Sequence, residues 1–249
     1  MEIITSKVNP NVILALKLKQ KKYRDKFKKV LLEGRKIIQE AVNLKIKIFQ
    51  VFTTEENFDI ANKFNANKVL VVSPQICKAL SSTVTSQNIF AIAEIKENSL
   101  SYRDKVLILD GLQNPDNLGT IIRSAVATNF LDIFAINSVD IFNEKTIRSS
   151  MGNVFKVNLI KTDYQNLKTL LKDYQILTAD MNGENVFNIK KFNKKVALCI
   201  GNEGNGVSEQ ILNLTNKVVS IPMQNNVESL NASVSAGIIM YQILNRQGE

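Results

Sequence analysis

Five short apolar runs in the second half of this 249-residue chain, at 106–109, 133–136, 175–178, 196–200 and 218–221, alternate with helix-patterned stretches. This alternation constrains the fold more than any other feature. Runs of four or five aliphatic residues without polar alternation belong to strands buried on both faces. Parallel pairing through crossover helices supplies that burial, so the sequence predicts an α/β fold built on a largely parallel sheet. Ligands in such sheets sit where strands end at their carboxyl edges, which draws attention to the loops that follow these runs.

The first hundred residues alternate too. An apolar strand at 30–33, Gly34, an amphipathic helix at 35–43 and a strand at 46–52 are followed by a strand at 69–72. A helix with Ser73 as N-cap and Pro74 at its first position comes next, then a strand at 89–95. A polar segment at 96–103 reads as a linker. The expected organisation is a smaller N-terminal α/β domain over 1–100 and a larger domain over 101–249.

Charge separates the two halves. Residues 1–100 hold 17 Lys and Arg against 9 Asp and Glu, and residues 101–249 hold 15 against 14, so nearly all of the net charge of +9 lies N-terminally. Lys17, Lys19, Lys21, Lys22 and Arg24 lead a basic run interleaved with Tyr23 and Phe27, and Arg35 opens the next helix. Such a run suits either a phosphate backbone or a solvated helix face, and its segregation into one half favours nucleic acid. No apolar stretch approaches the roughly 20 residues of a spanning helix, and no signal-peptide core is evident, so a soluble, cytoplasmic protein without membrane contact is expected. The chain has no histidine and two distant cysteines, Cys77 and Cys199. That excludes Ser-His-Asp and Cys-His catalysis, and no metal is expected.

Three loops carry unusual chemistry. In 110–123, Asn117 is placed to cap a helix whose Leu118, Ile121, Ile122 and Ala125 share one apolar face, with Arg123 on another side. Arg123 can grip a phosphate in bidentate fashion or make an ordinary surface ion pair. In 201–206, three glycines permit close backbone approach or positive φ, yet Val207 stands where a phosphate-binding loop needs lysine. A nucleotide loop and a plain turn before a helix capped by Ser208 both remain open. Glu203 within it can bond a ligand or restrain Arg123. In 221–237, a polar loop leads into a helix with Ser229, Ser233 and Gly237 at four-residue spacing, the mark of a crowded core or of a helix pressed on a ligand.

Together and in this order, the loops resemble the three motifs of the SpoU branch of the SPOUT RNA methyltransferases. N-x-G-x-x-x-R resembles Asn117, Gly119 and Arg123, with Asn114 preceding. G-N-E-x-x-G matches Gly201, Asn202, Glu203 and Gly206. S-L-N-x-S-x-A matches Ser229, Leu230, Asn231 and Ser233, with Ser235 in the place of alanine and Ala236 following. The N-terminal part is similar to the family's ribosomal-protein-like substrate-binding domain, although Thr85-Ser86-Gln87-Asn88 replaces the usual Pro-Gln-Gly. The resemblance implies S-adenosylmethionine as cofactor, a C-terminal trefoil knot, a homodimer and methylation of a ribose 2′-hydroxyl in structured RNA, with large-subunit ribosomal RNA ahead of transfer RNA. It implies Arg123, Asn114, Glu203, Ser229 and Asn231 as catalytic residues. A cofactor cradle is implied at Thr178, Ala179, Leu198, Gly201, Asn202, Ile221, Met223, Leu230, Asn231 and Ala232. A non-catalytic RNA-binding module and a phosphate-binding hydrolase are the competing classes.

Overall fold

The computed structural model describes residues 2–96, 101 and 103–247. Of the expected linker, residues 97–100 and 102 lie outside the described residues. The N-terminal elements are α1 (Pro10–Lys17), α2 (Lys21–Phe27), β1 (Lys29–Glu33), α3 (Arg35–Asn43), β2 (Ile48–Thr53), α4 (Phe58–Asn62), β3 (Lys68–Val71), α5 (Pro74–Leu80) and β4 (Ile89–Glu94). After these come β5 (Lys105–Asp110), α6 (Pro115–Ala127), β6 (Asp132–Ile136), α7 (Glu144–Ser149), β7 (Asn158–Lys161), α8 (Tyr164–Leu170) and β8 (Gln175–Asn185). β9 (Val196–Ile200), α9 (Glu209–Leu212), β10 (Lys217–Ser220) and α10 (Ala232–Gln247) complete the order. Two compact units result: Met1–Glu97 with Phe142–Phe155, and Asn98–Ile141 with Lys156–Glu249.

The first unit is a four-stranded mixed sheet in the order β1-β4-β2-β3, antiparallel except for the β2–β3 pair. Its core joins Val12, Ala15 and Leu18 from the first helix to Phe52, Ile76, Leu80, Phe90 and Ile92. Glu33, at the end of β1, organises the 81–86 turn. Its carboxylate accepts from the Ser82 N–H and hydroxyl at 2.9 and 3.0 Å, from Thr83 at 2.9 Å, from Ser86 at 3.1 Å and from Ser81. The unusual 85–88 segment is functional as a turn: Gln87 Oε1 accepts from Arg35 N at 2.9 Å and so caps α3. Burial raises the Glu33 carboxyl, but the bonds from Ser81, Ser82 and Thr83 outweigh it and leave it below the ordinary glutamate value. Its stabilising contribution is therefore present above the unfolded pKa and disappears as pH falls through the depressed folded one. Glu33→Ala is expected to destabilise the protein by about 2 kcal/mol, and Glu33→Gln to flatten the acid limb of stability against pH. Urea unfolding at a series of pH values measures both.

Six strands in the order β10-β8-β9-β5-β6-β7, all parallel, form the second sheet. Five were expected; β7 is a short, half-exposed edge strand, and its sequence Asn-Leu-Ile-Lys shows no buried apolar run. α6 buries Leu118, Ile121, Ile122 and Ala125, the face its periodicity predicts. Its cap differs from expectation. Asn114 is the N-cap, accepting from Asp116 N at 2.9 Å and Asn117 N at 3.4 Å, because Pro115 occupies the first helical position. Asn117 is thereby carried inside the helix. The C-terminal helix also begins later than expected, at Ala232, with the Asn231 side chain accepting from Ser233 N at 2.9 Å. Ser229 is outside it and exposed. A Cβ on Gly237 would lie 3.5 Å from Ser124 Oγ of α6, so the small residues of α10 serve helix packing within this unit. Among the described residues no helix is long and apolar enough to cross a membrane.

Candidate functional site

The chain leaves β5 toward β6 on one side, while β9 flanks β5 on the other. The crevice between the carboxyl ends of β5 and β9 is thus a topological switch point, where parallel sheets place ligands. The loop after β5 and the glycine loop after β9 both open there.

The glycine loop holds itself together. Asn202 and Gly206 exchange backbone hydrogen bonds at 2.8 and 3.0 Å, and the Asn202 side chain accepts from Gly204 N and Asn205 N, both at 2.9 Å. The same side chain donates to Gly111 O at 2.8 Å and so joins the loop to the end of β5. The Asn202 side chain and its backbone N–H and C=O are thus all engaged within the protein, which makes Asn202 the brace of the loop. Gly201 is required because a Cβ there would lie 2.4 Å from the Gly206 backbone, and Gly206 because its φ is +68°. Both requirements arise from the turn's own path.

Glu203 does not restrain Arg123, contrary to one sequence reading. Its carboxylate accepts from Gln113 N at 3.2 Å, Asn114 N at 3.1 Å and Asn117 Nδ2 at 3.0 Å. Burial raises this carboxyl, yet the bonds from Asn117 and the backbone hold it below the ordinary value, so it is an anion at neutral pH. Asn117, buried inside α6, accepts from Asn231 Nδ2 at 3.0 Å through its own carbonyl. Asn231 in turn accepts from the Ser233 hydroxyl at 2.6 Å. A continuous chain, Glu203–Asn117–Asn231–Ser233, therefore ties the loops after β9, β5 and β10 together. Asn117, a motif residue expected to act as the helix cap, is instead the junction, and Asn114 makes the cap. The loop's three-residue spacing held the signal: proline at the first helical position assigns the cap to the residue before it.

Arg123 lies on the exposed side of α6 and makes no hydrogen bond or ion pair among the described residues. Its guanidinium is available to an anion. Ser229 is exposed, and Ile221, Met223, Leu230 and Ala232 are half-buried along the 221–232 segment. Thr178 is fully buried, its hydroxyl 2.6 Å from that of Thr215. After Thr178 the pairing of β8 with β10 jumps from Val218–Thr178 to Val219–Glu184, leaving the segment from Ala179 to Gly183 off the ladder. Leu198, implied as part of the cofactor cradle, is fully buried inside β9 and paired to both Leu107 and Leu177.

A second network was not foreseen. Asp110, buried at the end of β5, accepts from the Tyr164 hydroxyl at 2.9 Å and from Ser208 N at 2.7 Å. It anchors the far end of the glycine loop to α8. Burial, reinforced by the adjacent Asp110 carboxylate, pushes the Tyr164 phenol above its ordinary value, so it stays protonated and donating. Among the described residues no group of three or more His, Cys, Asp or Glu side chains is gathered as a metal would need.

In the N-terminal unit, two expected RNA contacts are structural. Arg24 is buried, and its guanidinium donates to the carbonyls of Leu18 and Lys19 at 2.9 and 2.8 Å, closing the end of α1. Lys19 donates to the carbonyls of Ala79 and Ser81, both at 3.0 Å, closing α5. Lys17, Lys21 and Lys22 are exposed, and Arg35 is exposed with its guanidinium bonded to Asn57.

The chain is similar to known proteins over nearly its whole length. Residues 104–241 match the model of the SpoU rRNA Methylase family, and residues 9–91 match that of the MRM3-like substrate binding domain. The chain is 31% identical over 248 residues to the 23S rRNA (guanosine(2553)-2′-O)-methyltransferase RlmP of Bacillus subtilis, covering 98% of this chain and 99% of that one. It is 30% identical over 260 residues to an uncharacterized tRNA/rRNA methyltransferase of Synechocystis, covering 98% and 94%. A crystal structure of an RNA 2′-O ribose methyltransferase superposes with a TM-score of 0.86 at 27% identity over the whole of both chains.

Proposed function

This chain belongs to the SpoU rRNA methylase family, and we propose that it transfers a methyl group from S-adenosylmethionine to a ribose 2′-hydroxyl of large-subunit ribosomal RNA, in the cytoplasm. The observation that carries the reading is the Glu203–Asn117–Asn231 chain, which holds the three motif loops at one end of the sheet. The cofactor fits this chain because Thr178 with Ala179 lie where β8 ends its pairing with β9 and breaks its ladder with β10, while Gly201 follows β9 and Ile221 to Met223 follow β10, and those strands are neighbours in the sheet. Leu230 to Ala232 close the same side through Asn231. When bound, S-adenosylmethionine supplies a cationic sulfonium whose methyl is open to in-line displacement.

The protein's own part is positioning and charge. Glu203, anionic, fixes the backbone of Gln113 and Asn114 and orients Asn117. Arg123, on the helix that Asn117 anchors, grips the phosphate beside the target ribose or stabilises the developing 2′-alkoxide. A guanidinium pKa above about 12 disfavours its acting as the base. Asn114, held by Glu203, and the exposed Ser229, two residues before Asn231, are the further side chains proposed to meet substrate.

The test is transfer of radiolabelled methyl from S-adenosylmethionine to 23S rRNA fragments, starting with the segment specified by the name of the Bacillus subtilis relative. Product is read as an alkali-resistant dinucleotide, with transfer RNA as a parallel substrate. Label on 23S rRNA alone is expected. Absence of cofactor binding by calorimetry would remove the methyltransferase reading, and label on transfer RNA alone would move the substrate.

The homodimer belongs to the same proposal. α10 exposes Val234, Tyr241 and Leu244 at 48%, 54% and 36%, and their spacing sets them on one stripe. A two-fold partner presenting the same stripe would cover it. The knot is proposed on the family resemblance alone.

A further inference from the structure

The basic N-terminal unit has a feature that a solvated lysine face does not require. Tyr23 and Phe27, one turn apart on α2, stack with their planes 9° apart and their centroids 6.2 Å apart. Lys17 and Lys22 place their ammonium groups 5.6 and 4.8 Å from the Tyr23 centroid, and Lys26 lies 5.7 Å from that of Phe27. Phe27 is 37% exposed on a seven-residue helix that is otherwise almost entirely charged. Two residues on, Lys29 sits 4.1 Å over Phe49, and Lys47 lies 5.1 Å from the same ring. The row of cation-faced rings thus continues from the helix onto the sheet. Asp25 and Glu94, which is paired in register with Lys29, are acids within this stretch.

Phosphates alone would be served by lysines without ordered rings. A duplex gains little from exposed rings, because its bases are already stacked and its shallow groove offers edges and hydroxyls. Parallel, partly exposed rings with cations beside them are what unpaired nucleotides use: bases stack on the π-faces while ammonium groups hold the adjoining phosphates. We propose that Tyr23 and Phe27, with Lys17, Lys22 and Lys26 around them, form a stacking platform for an unpaired segment of RNA. The proposal rests on the RNA substrate given above and specifies which state of that RNA the N-terminal unit takes.

The experiment is fluorescence anisotropy on the full chain without cofactor, using an oligouridine of about 10 nucleotides and a hairpin duplex of similar length. Phe27→Ala is expected to weaken oligouridine binding about tenfold, leave duplex binding unchanged, and leave the salt slope as in wild type, because no charge is lost. Phe27→Trp, which keeps a π-face, is expected to restore affinity, whereas Phe27→Leu, which keeps apolar bulk only, is not. Lys22→Gln is expected to weaken binding and to lower the salt slope by about 0.7. Equal loss on duplex and oligouridine, restoration by leucine, or a wild-type affinity in Phe27→Ala with an unchanged melting curve would each overturn the proposal. So would preferential binding to vesicles containing phosphatidylserine. Cofactor calorimetry on the same samples keeps the two readings apart, since loss of cofactor binding would undo the methyltransferase while leaving this measurement intact.

Discussion

Arg123→Ala is expected to lower methyl transfer by at least about a hundredfold while the protein binds S-adenosylmethionine as wild type does and melts within a degree or two of it. The separation follows from where the side chain is. Arg123 is exposed on α6 and makes no bond among the described residues, so truncation removes nothing that holds the fold, and exposed substitutions of this kind stay within about 0.5 kcal/mol. The segments proposed to cradle the cofactor lie within β8 and after β9 and β10, and their hydrogen bond to α6 runs from Asn231 to Asn117, about two turns away from Arg123. Loss confined to turnover therefore marks a group that meets RNA or the reacting oxygen. Arg123→Lys keeps the charge and loses the planar fork, so it should retain a small fraction of activity if phosphate gripping dominates. Single-turnover transfer with calorimetry on the same variant measures both halves. Cofactor affinity falling in step with turnover would mean that Arg123 shapes the loops instead.

Much of the second sheet was legible because buried parallel strands are written as unbroken apolar runs: β9 was bounded to the residue, and β5, β6 and β10 to within one or two. β7 escaped because an edge strand needs no such run. β8 runs on to Asn185, past the expected end at Thr178, because its ladder with β10 resumes after a break. The three motif loops were legible as loops, but not their wiring. Nothing local in Asn117 announces partners 86 and 114 positions away, and Asp110 looked like an ordinary loop start until Tyr164 and Ser208 closed on it. Basic residues misled for a related reason. Lys19 and Arg24 read as phosphate ligands by type, whereas each is bent back to satisfy helix-end carbonyls, a role that charge patterning cannot distinguish. The grouping of Phe142–Phe155 with the first unit likewise has no sequence signal, because it joins residues far apart in the chain.

Asn117→Asp should be among the most damaging conservative changes in the molecule, and its pH dependence should run opposite to that of the parent. The wild-type amide donates to Glu203 with its nitrogen and accepts from Asn231 with its oxygen. A carboxylate of the same shape can still accept from Asn231 but has no proton for Glu203, and it faces that anion across about one hydrogen-bond length. Two such carboxylates cannot both ionise comfortably, so one proton becomes shared between them and is held more tightly than in the unfolded chain. In wild type the Glu203 carboxyl lies below its ordinary value, and its contribution to stability is lost as pH falls. In the variant the shared proton lies above the ordinary value, so stability is greatest in acid and is lost as pH rises through the raised pKa. At pH near 8 the expected cost is about 2 kcal/mol, with methyl transfer down about a hundredfold because Gln113, Asn114 and Arg123 lose their common anchor. Urea midpoints at about pH 5 and pH 8 decide the matter: a variant that loses stability toward acid with the wild-type slope would show that the Asn117–Glu203 bond does not organise the site.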